Sequence, residues 1–317
     1  MKRALMLGLL AWIAATPAQA FPDRPIRLIV PFSAGGATDV GARVLAEAMS
    51  SQLSQPIVIE NRVGGAGIVA SELVARAPAD GHTLLINNTS HAVLRLVVPN
   101  APIDVTTALA PVTVLSEMPM VMLVSNAFPG RDVREFIALA RANPGGFNYG
   151  STGGGGTLQM AALLFLNAAQ LQLNEIPYRG GAPATLDLAA GRIALVFDVA
   201  LTAVQTARGG QARAFAVTSA GRSPALPEVP SLREIGLDAE MNVWQAIFTA
   251  SATPEPVKLE LQRAMAAALA QETVRQRMLG LGVDRILANS PDEASRYVSG
   301  EVERWERLMR GRINPGG

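Results

Sequence analysis

The stretch YGSTGGGGTLQM, Tyr149 to Met160, sets a hydroxyl pair and four glycines directly ahead of an apolar, helix-like run. Such a loop is suited to holding an anion. The first N–H groups of a helix lack intrahelical partners and point out of its end, where the helix dipole adds partial positive charge. A second loop of this kind, SAGGATD at 33–39, follows the apolar run IRLIVPF and opens another helical pattern. Neither loop contains Lys or Arg, so an anion is met by neutral donors: backbone N–H groups and the hydroxyls of Ser151, Thr152, Thr157, Ser33 and Thr38. Each hydrogen bond to a charged acceptor contributes roughly 1.5–3 kcal/mol. Three or four support micromolar affinity, about −8 kcal/mol, once association entropy is subtracted. A carboxylate suits this chemistry better than a phosphate dianion, which recruits Arg or Lys. The rival reading is that the glycines only permit tight turns and close packing of helix on strand.

Other chemistries fit less well. Gly65-Ala66-Gly67-Ile68-Val69-Ala70 matches G-x-G-x-x-A between a strand and a helix, but the dinucleotide fingerprint also needs an acid about 20 positions on. That region reads LLINN. The loop GSTGGGGT at 150–157 lacks the Gly-Lys-Ser/Thr of a nucleotide-triphosphate loop. Catalysis has little to stand on: His82 and His91 are the only histidines, without metal-ligand spacing, and there is no G-x-S-x-G elbow. No cofactor and no metal are expected. The chain has no Cys, which excludes disulfides and thiolate sites.

The elements that position the loops read as alternating strands and helices. IRLIVPF (26–32), a helix through TDVGARVLAEAMSSQL with Thr38 or Asp39 as N-cap, PIVIENR (56–62), a helix from about Ile68 to Ala77 and HTLLINN (82–88) form a βαβαβ unit. A second round begins near MVMLVS (120–125) and runs through DVREFIALARANPGG, FNYGS, the helix after the glycines, NEIPY (174–178), APATLDLAAG, IALVFDVA and RAFAVTS. The chain leaves this unit near MNVWQAIFTA (241–250). One closing helix is expected from about Pro256 to Leu281, and another from the capping box Ser290-Pro291-Asp292-Glu293, with Ala294, Tyr297, Val298, Trp305 and Leu308 as its apolar stripe. The expected architecture is α/β with two lobes: 21–121 plus 244–317, and 122–243. Ligands of such folds bind outside the carboxyl ends of the strands, which puts the two glycine loops around one cleft.

The N-terminus MKRALMLGLLAWIAATPAQA has a basic start, an apolar run of about a dozen residues, too short to span a membrane, and an Ala18-Gln19-Ala20 cleavage site. An exported mature chain beginning at Phe21 is expected in the periplasm. Loss of Lys2 and Arg3 leaves 25 basic against 26 acidic residues, so neither nucleic acid nor an anionic membrane is an expected partner.

The motifs YGSTGGGGTLQM, PFSAGGATD, ENRVGGAG, ADGHTLL, IPYRGGAPATLDLAAGRI, AVTSAGRSPALPEVPSLREIG and the late Glu301-to-Trp305 ExxRW stand in an order and spacing that closely resemble the extracytoplasmic solute receptors of tripartite tricarboxylate transporters, the Bug-type receptors. The resemblance spans essentially the whole mature chain. It implies a type II two-lobed periplasmic binding fold, a monomer, a small organic carboxylate as ligand and integral-membrane transporter subunits as partners. A periplasmic sensor presenting the same ligand to a signalling receptor is the alternative. The implied first-loop residues are Phe32, Ser33, Ala34, Gly35, Gly36, Thr38 and Asp39. Those of the second loop are Ser151, Thr152, Gly153, Gly155, Gly156 and Thr157, followed by Gln159. The family usually has Ser and His where Gly156 and Gln159 stand here, so a wider pocket for a bulkier acid is one expectation.

Other polar residues have two readings each. Asp39 is either a helix N-cap or a ligand group. Asp198 either faces the cleft, the favoured reading, or caps a helix start. Ser90 and His91 stand where they would line the cleft, although a lone surface histidine is the commoner outcome. Tyr178 shapes the pocket, while Arg179 reads as a solvated edge and Arg222 as a structural tie.

Overall fold

The apolar runs become strands in the order the sequence suggests. A computed structural model describes residues 21–309, so the leader expected at 1–20 lies outside it. The first run forms β1 (Ile26–Val30), and the first glycine loop leads into α1 (Ala37–Leu53). There follow β2 (Ile57–Asn61), α2 (Ile68–Ala75) and β3 (Thr83–Asn88). β1 pairs parallel with β2 on one side and β3 on the other. Short helices α3 (Leu94–Val97) and α4 (Val105–Ala108) lead into β4 (Leu109–Val124).

The next unit comprises α5 (Val133–Ala142), β5 (Asn148–Ser151), α6 (Thr157–Ala169), β6 (Asn174–Pro177), α7 (Gly181–Ala189), β7 (Leu195–Val199), α8 (Ala200–Arg208) and β8 (Arg213–Val217). The chain returns through β9 (Asn242–Ala250), α9 (Glu255–Ala270), α10 (Glu272–Gly280), β10 (Arg285–Ile286) and α11 (Pro291–Met309). No described helix is long and apolar enough to cross a membrane.

Two expectations about elements are corrected. The strand expected at 120–125 is only the second half of β4, whose first half contains Pro111 and Pro119. Proline is tolerated in a strand where it is not required to donate, and register shifts near Pro111 and again between Val114 and Ser116 mark such irregular places. The single helix expected from Pro256 to Leu281 is two helices. It breaks at Gln271, whose backbone is extended at φ −66°, ψ 129°.

β4 carries the architecture. Its first half pairs antiparallel with β9, from Leu109↔Ala250 to Pro119↔Asn242, and β9 in turn pairs with β3. From Met120 onward β4 pairs instead with β7 and β8. The order β2-β1-β3-β9-β4-β7-β5-β6 therefore changes character at one point, where the chain passes from one set of partners to another.

Thr218, just after β8, pins that point. Its buried hydroxyl accepts from the Met120 N–H (2.8 Å) and donates to the Met241 carbonyl (2.5 Å). Its backbone donates to Met120 and accepts from Met241, each at 2.9 Å. Both chain crossings thus meet at one residue.

The ExxRW motif fastens α11 beside the return crossing. Glu301 Oε2 accepts from the indole N–H groups of Trp244 (3.2 Å) and Trp305 (3.0 Å), and Arg304 donates to its other oxygen at 3.1 Å. Both indoles are fully buried, so this shared carboxylate satisfies two donors that would otherwise be costly to bury. The expected capping box is present: the Ser290 N–H and hydroxyl donate to Glu293 at 2.9 and 2.8 Å. On the stripe, Ala294, Val298 and Trp305 are buried, while Tyr297 and Leu308 are partly so.

His91 is neither a surface residue nor a group with ready access to a ligand. It is 2% exposed and stacks on Phe248 of β9, ring centroids 4.4 Å apart. Burial lowers its pKa to about 4, against a weaker upward pull from Asp104. Above the ordinary value of 6.5 the imidazole is neutral whether the chain is folded or not. Between 6.5 and about 4 only the unfolded chain takes the proton, so stability falls as pH falls; below about 4 the effect levels off.

Two outcomes follow from this frame. Thr218→Val keeps the side-chain shape but strands the Met120 N–H and Met241 carbonyl, and chemical denaturation should register a loss of about 1–3 kcal/mol. Replacing His91 with Gln should flatten the fall in stability between pH 6.5 and 4 relative to the wild type. Parallel curves for the two proteins would rule out His91 as the source of that slope.

Candidate ligand-binding site

Strand register brings the loops to one level. β5 is parallel to β7 and β6, and the carboxyl end of β7 meets the start of the second half of β4, with Met120↔Val199 and Val121↔Asp198. On the other side of the crossing, the carboxyl end of β3 meets the start of β9, Asn88↔Gln245, three residues from Asn242↔Pro119. The parallel strands of both sets therefore end towards the crossing, and the loops that follow β1, β3, β5, β6 and β7 open there.

In the first loop, Ser33, Ala34, Gly35 and Gly36 are exposed and Phe32 is half-buried. Gly35 adopts φ +83°, a left-handed conformation that favours glycine. The N-cap of α1 is Gly36, so neither Thr38 nor Asp39 caps the helix. Both lie in its first turn instead. Asp39 is buried, and its carboxylate accepts from the Gly35 N–H (2.9 Å), Arg43 (2.9 and 3.1 Å) and Asn61 (2.8 Å). Burial would raise its pKa, but the bonds from Arg43, Gly35 and Asn61 outweigh that and hold it below the ordinary value. The amide of Asn61 also donates to the Phe32 carbonyl at 2.9 Å. Asp39 thus shapes the loop from behind with its oxygens already occupied. Thr38 is buried and accepts weakly from Asn88 at 3.4 Å.

The second loop is built on three successive left-handed residues: Gly153 at φ +61°, Gly154 at +49° and Gly155 at +75°. For other residues this conformation costs roughly 1–2 kcal/mol each, so the glycine run is a backbone requirement here. Gly156 is the N-cap of α6, and the first intrahelical bond runs from the Met160 N–H to its carbonyl at 3.0 Å. The first-turn N–H groups of Thr157, Leu158 and Gln159 precede that bond.

The hydroxyl and amide that the sequence offered to a ligand are turned inward. Ser151 is fully buried; its hydroxyl donates to Glu175 of β6 and accepts from the Gly153 N–H at 2.9 Å. The Gln159 amide donates to the same Glu175 oxygen at 2.8 Å and accepts from the Gly155 N–H at 2.8 Å. At these positions the space is shared with neighbouring side chains. A Cβ on Gly156 would lie 2.0 Å from the Thr152 hydroxyl, so Thr152 fills the space the glycine leaves. Thr152 Oγ1 is buried without a hydrogen-bond partner.

The remaining candidates divide. The Tyr178 hydroxyl donates to Asp187 of α7 at 2.7 Å, and its pKa is pushed up to about 12, by burial first and by Asp187 next. Asp198 is buried and accepts from the Val199 N–H (2.9 Å) and the Thr202 hydroxyl (2.6 Å), while the N-cap of α8 is Val199, so Asp198 stands just before the helix without capping it. Burial raises its pKa against those bonds. Ser90 is half-buried, and its N–H donates to Asn88 at 2.9 Å. Arg222 is a structural tie, to Glu234 at 3.0 Å and the Pro227 carbonyl at 3.1 Å. Sequence reasoning missed Asn61 and Glu175. Both are reached only through strand pairing. Cavities of about 430 Å³, beside Arg233 and Glu240, and 330 Å³, beside Leu94 and Arg95, involve none of the glycine-loop residues, so the candidate site is defined by the loops themselves.

Three solved structures share this architecture. R. palustris Rpa4515 with adipate matches with a TM-score of 0.85 at 32% identity, over 92% of this chain and 97% of that one. The periplasmic binding protein BugD matches at 0.82 and 30% identity, over 92% and 98%. MatC (Rpa3494) from Rhodopseudomonas palustris with bound malate matches at 0.81 and 32% identity, over 92% and 100%. The expected two-lobed periplasmic binding fold is thereby borne out. The sequence pattern of TctC, the tripartite tricarboxylate transporter family receptor, matches residues 41–313. With that match running from α1 past the end of α11, and near-complete overlap with BugD, this chain belongs to the TctC, or Bug-type, family of solute-binding receptors.

Proposed function

We propose that this receptor is exported, freed by cleavage before Phe21, and captures a small organic carboxylate in the periplasm for delivery to integral-membrane transporter subunits. The observation that carries the reading is the pair of glycine loops at the crossing, each opening a helix, α1 or α6, whose first-turn N–H groups precede any intrahelical bond. Helix N-termini with no Lys or Arg in the loop favour a carboxylate over a phosphate dianion. The adipate and malate held by two relatives of similar fold support the same ligand class.

The lobes we assign are 21–121 with 244–317, of which 310–317 lie outside the described residues, and 122–243. Closure is a rotation about the crossings, with the Thr218 contacts at the pivot. A ligand bridging the loops stabilises the closed state by its differential affinity for it, and the closed shape is what the membrane partner recognises.

Thermal-shift screening of the mature protein against mono-, di- and tricarboxylates, amino acids and aromatic acids, with phosphate and NAD as controls, tests the ligand class. A carboxylate should raise the melting temperature and bind with micromolar affinity, about −8 kcal/mol, by calorimetry. A shift with phosphate or NAD alone would sink the carboxylate reading. With the best ligand at saturation, small-angle scattering should show a smaller radius of gyration than for the free protein; an unchanged curve would count against closure.

A further inference from the structure

The second glycine loop is held by a carboxylate from outside it. Glu175 lies on β6, 24 residues beyond Ser151 and 16 beyond Gln159, yet one of its oxygens receives both the Ser151 hydroxyl and the Gln159 amide. Those two side chains in turn accept the N–H groups of Gly153 (2.9 Å) and Gly155 (2.8 Å). The chain of bonds therefore runs from Glu175 through two side chains to two of the three left-handed glycines. The Tyr149 hydroxyl also faces this carboxylate: burial first, and the Glu175 charge second, push its pKa well above the ordinary value.

We infer that Glu175 is a positioning residue for ligand recognition: it fixes the second loop so that the remaining N–H groups at the start of α6 are presented to the ligand's carboxylate. This rests on the carboxylate-receptor reading above. Three consecutive left-handed glycines have unusual freedom in the absence of a restraint, because glycine samples both hands of φ readily. A loop that must be ordered on binding loses affinity to that ordering. Glu175 removes the loss in advance by spending the Ser151 and Gln159 donors inside the protein. The ligand is left with the donors that this network does not use, the first-turn N–H groups of α6 among them. The first loop is arranged alike, with Asp39 accepting the Gly35 N–H and tied to Asn61 on the neighbouring strand.

The test compares wild type, Glu175→Ala and Glu175→Gln in the full mature chain, by amide hydrogen exchange over residues 151–159 and by calorimetry with adipate and with malate. The alanine variant should raise exchange at Gly153 and Gly155 by about tenfold or more and weaken binding by about tenfold. The glutamine variant keeps a carbonyl oxygen for Ser151 and Gln159 and an amide for Tyr149, so it should stay within about threefold of wild type in both readouts. Unchanged exchange and affinity in Glu175→Ala would overturn the inference, and so would a Gln variant as impaired as the Ala variant. Should Glu175→Ala fail to fold, Gln159→Met, which removes one arm of the network, must still loosen the Gly155 amide, and no loosening there would equally overturn it. If wild type binds neither acid, the ligand reading fails for these compounds, while the exchange arm still decides whether Glu175 holds the loop.

Discussion

The hydroxyl of Thr218 is the interaction on which the geometry of the molecule turns. It holds Met120 and Met241 together where β4 leaves β9 for β7 and β8. Thr218 also bonds both crossings through its backbone, so the two crossings are tied to each other at one residue. The parallel strands on each side end towards that pin, so the loops they release open near the same crossing. The ExxRW motif reinforces the same place from the other side. Its glutamate ties the indole of Trp244, two residues into β9, to α11.

Each glycine loop is tied to an acid, Asp39 within the first and Glu175 on β6 beside the second, and the two are used alike. Asp39 and Glu175 each reach a glycine N–H, directly in the first loop and through Ser151 and Gln159 in the second. A carboxylate beside an anion site looks self-defeating, since like charges repel. In both cases, though, the acid is surrounded by donors of its own: Arg43 and Asn61 for Asp39, Ser151 and Gln159 for Glu175. Its role is to order backbone that glycine would otherwise leave free. Order installed before binding need not be supplied by the ligand.

Much of this fold was legible because its cues are local. The apolar run of β1, the glycine loops before α1 and α6, and the Ser290–Glu293 capping box depend on neighbours within a few residues, and each is where the pattern puts it. What escaped depends on partners far along the chain. The first half of β4 is punctuated by Pro111 and Pro119, a local signal against a strand, and exists because β9 pairs with it. The break at Gln271 has neither Gly nor Pro to announce it. His91 reads as a surface or cleft residue until Phe248 is placed against it. Ser151 reads from the sequence as a hydroxyl donor to a ligand, and Gln159 as a site residue of the same loop. Their direction became clear only with Glu175, across a strand pair.

The departures from the usual family pattern at Gly156 and Gln159 are taken up within the loop itself. Replacing a serine with glycine removes volume at position 156, yet the Thr152 hydroxyl occupies that volume, and a Cβ at 156 would collide with it. Replacing histidine with glutamine at 159 removes a ring, yet the new amide folds back onto Gly155 and Glu175. Two pairs thus act within the loop: Gly156 makes room for Thr152, and Gln159 is tied to Glu175. On the ligand reading proposed above, the residues that set the backbone donors of α6 therefore include one on β6 that need never touch the ligand.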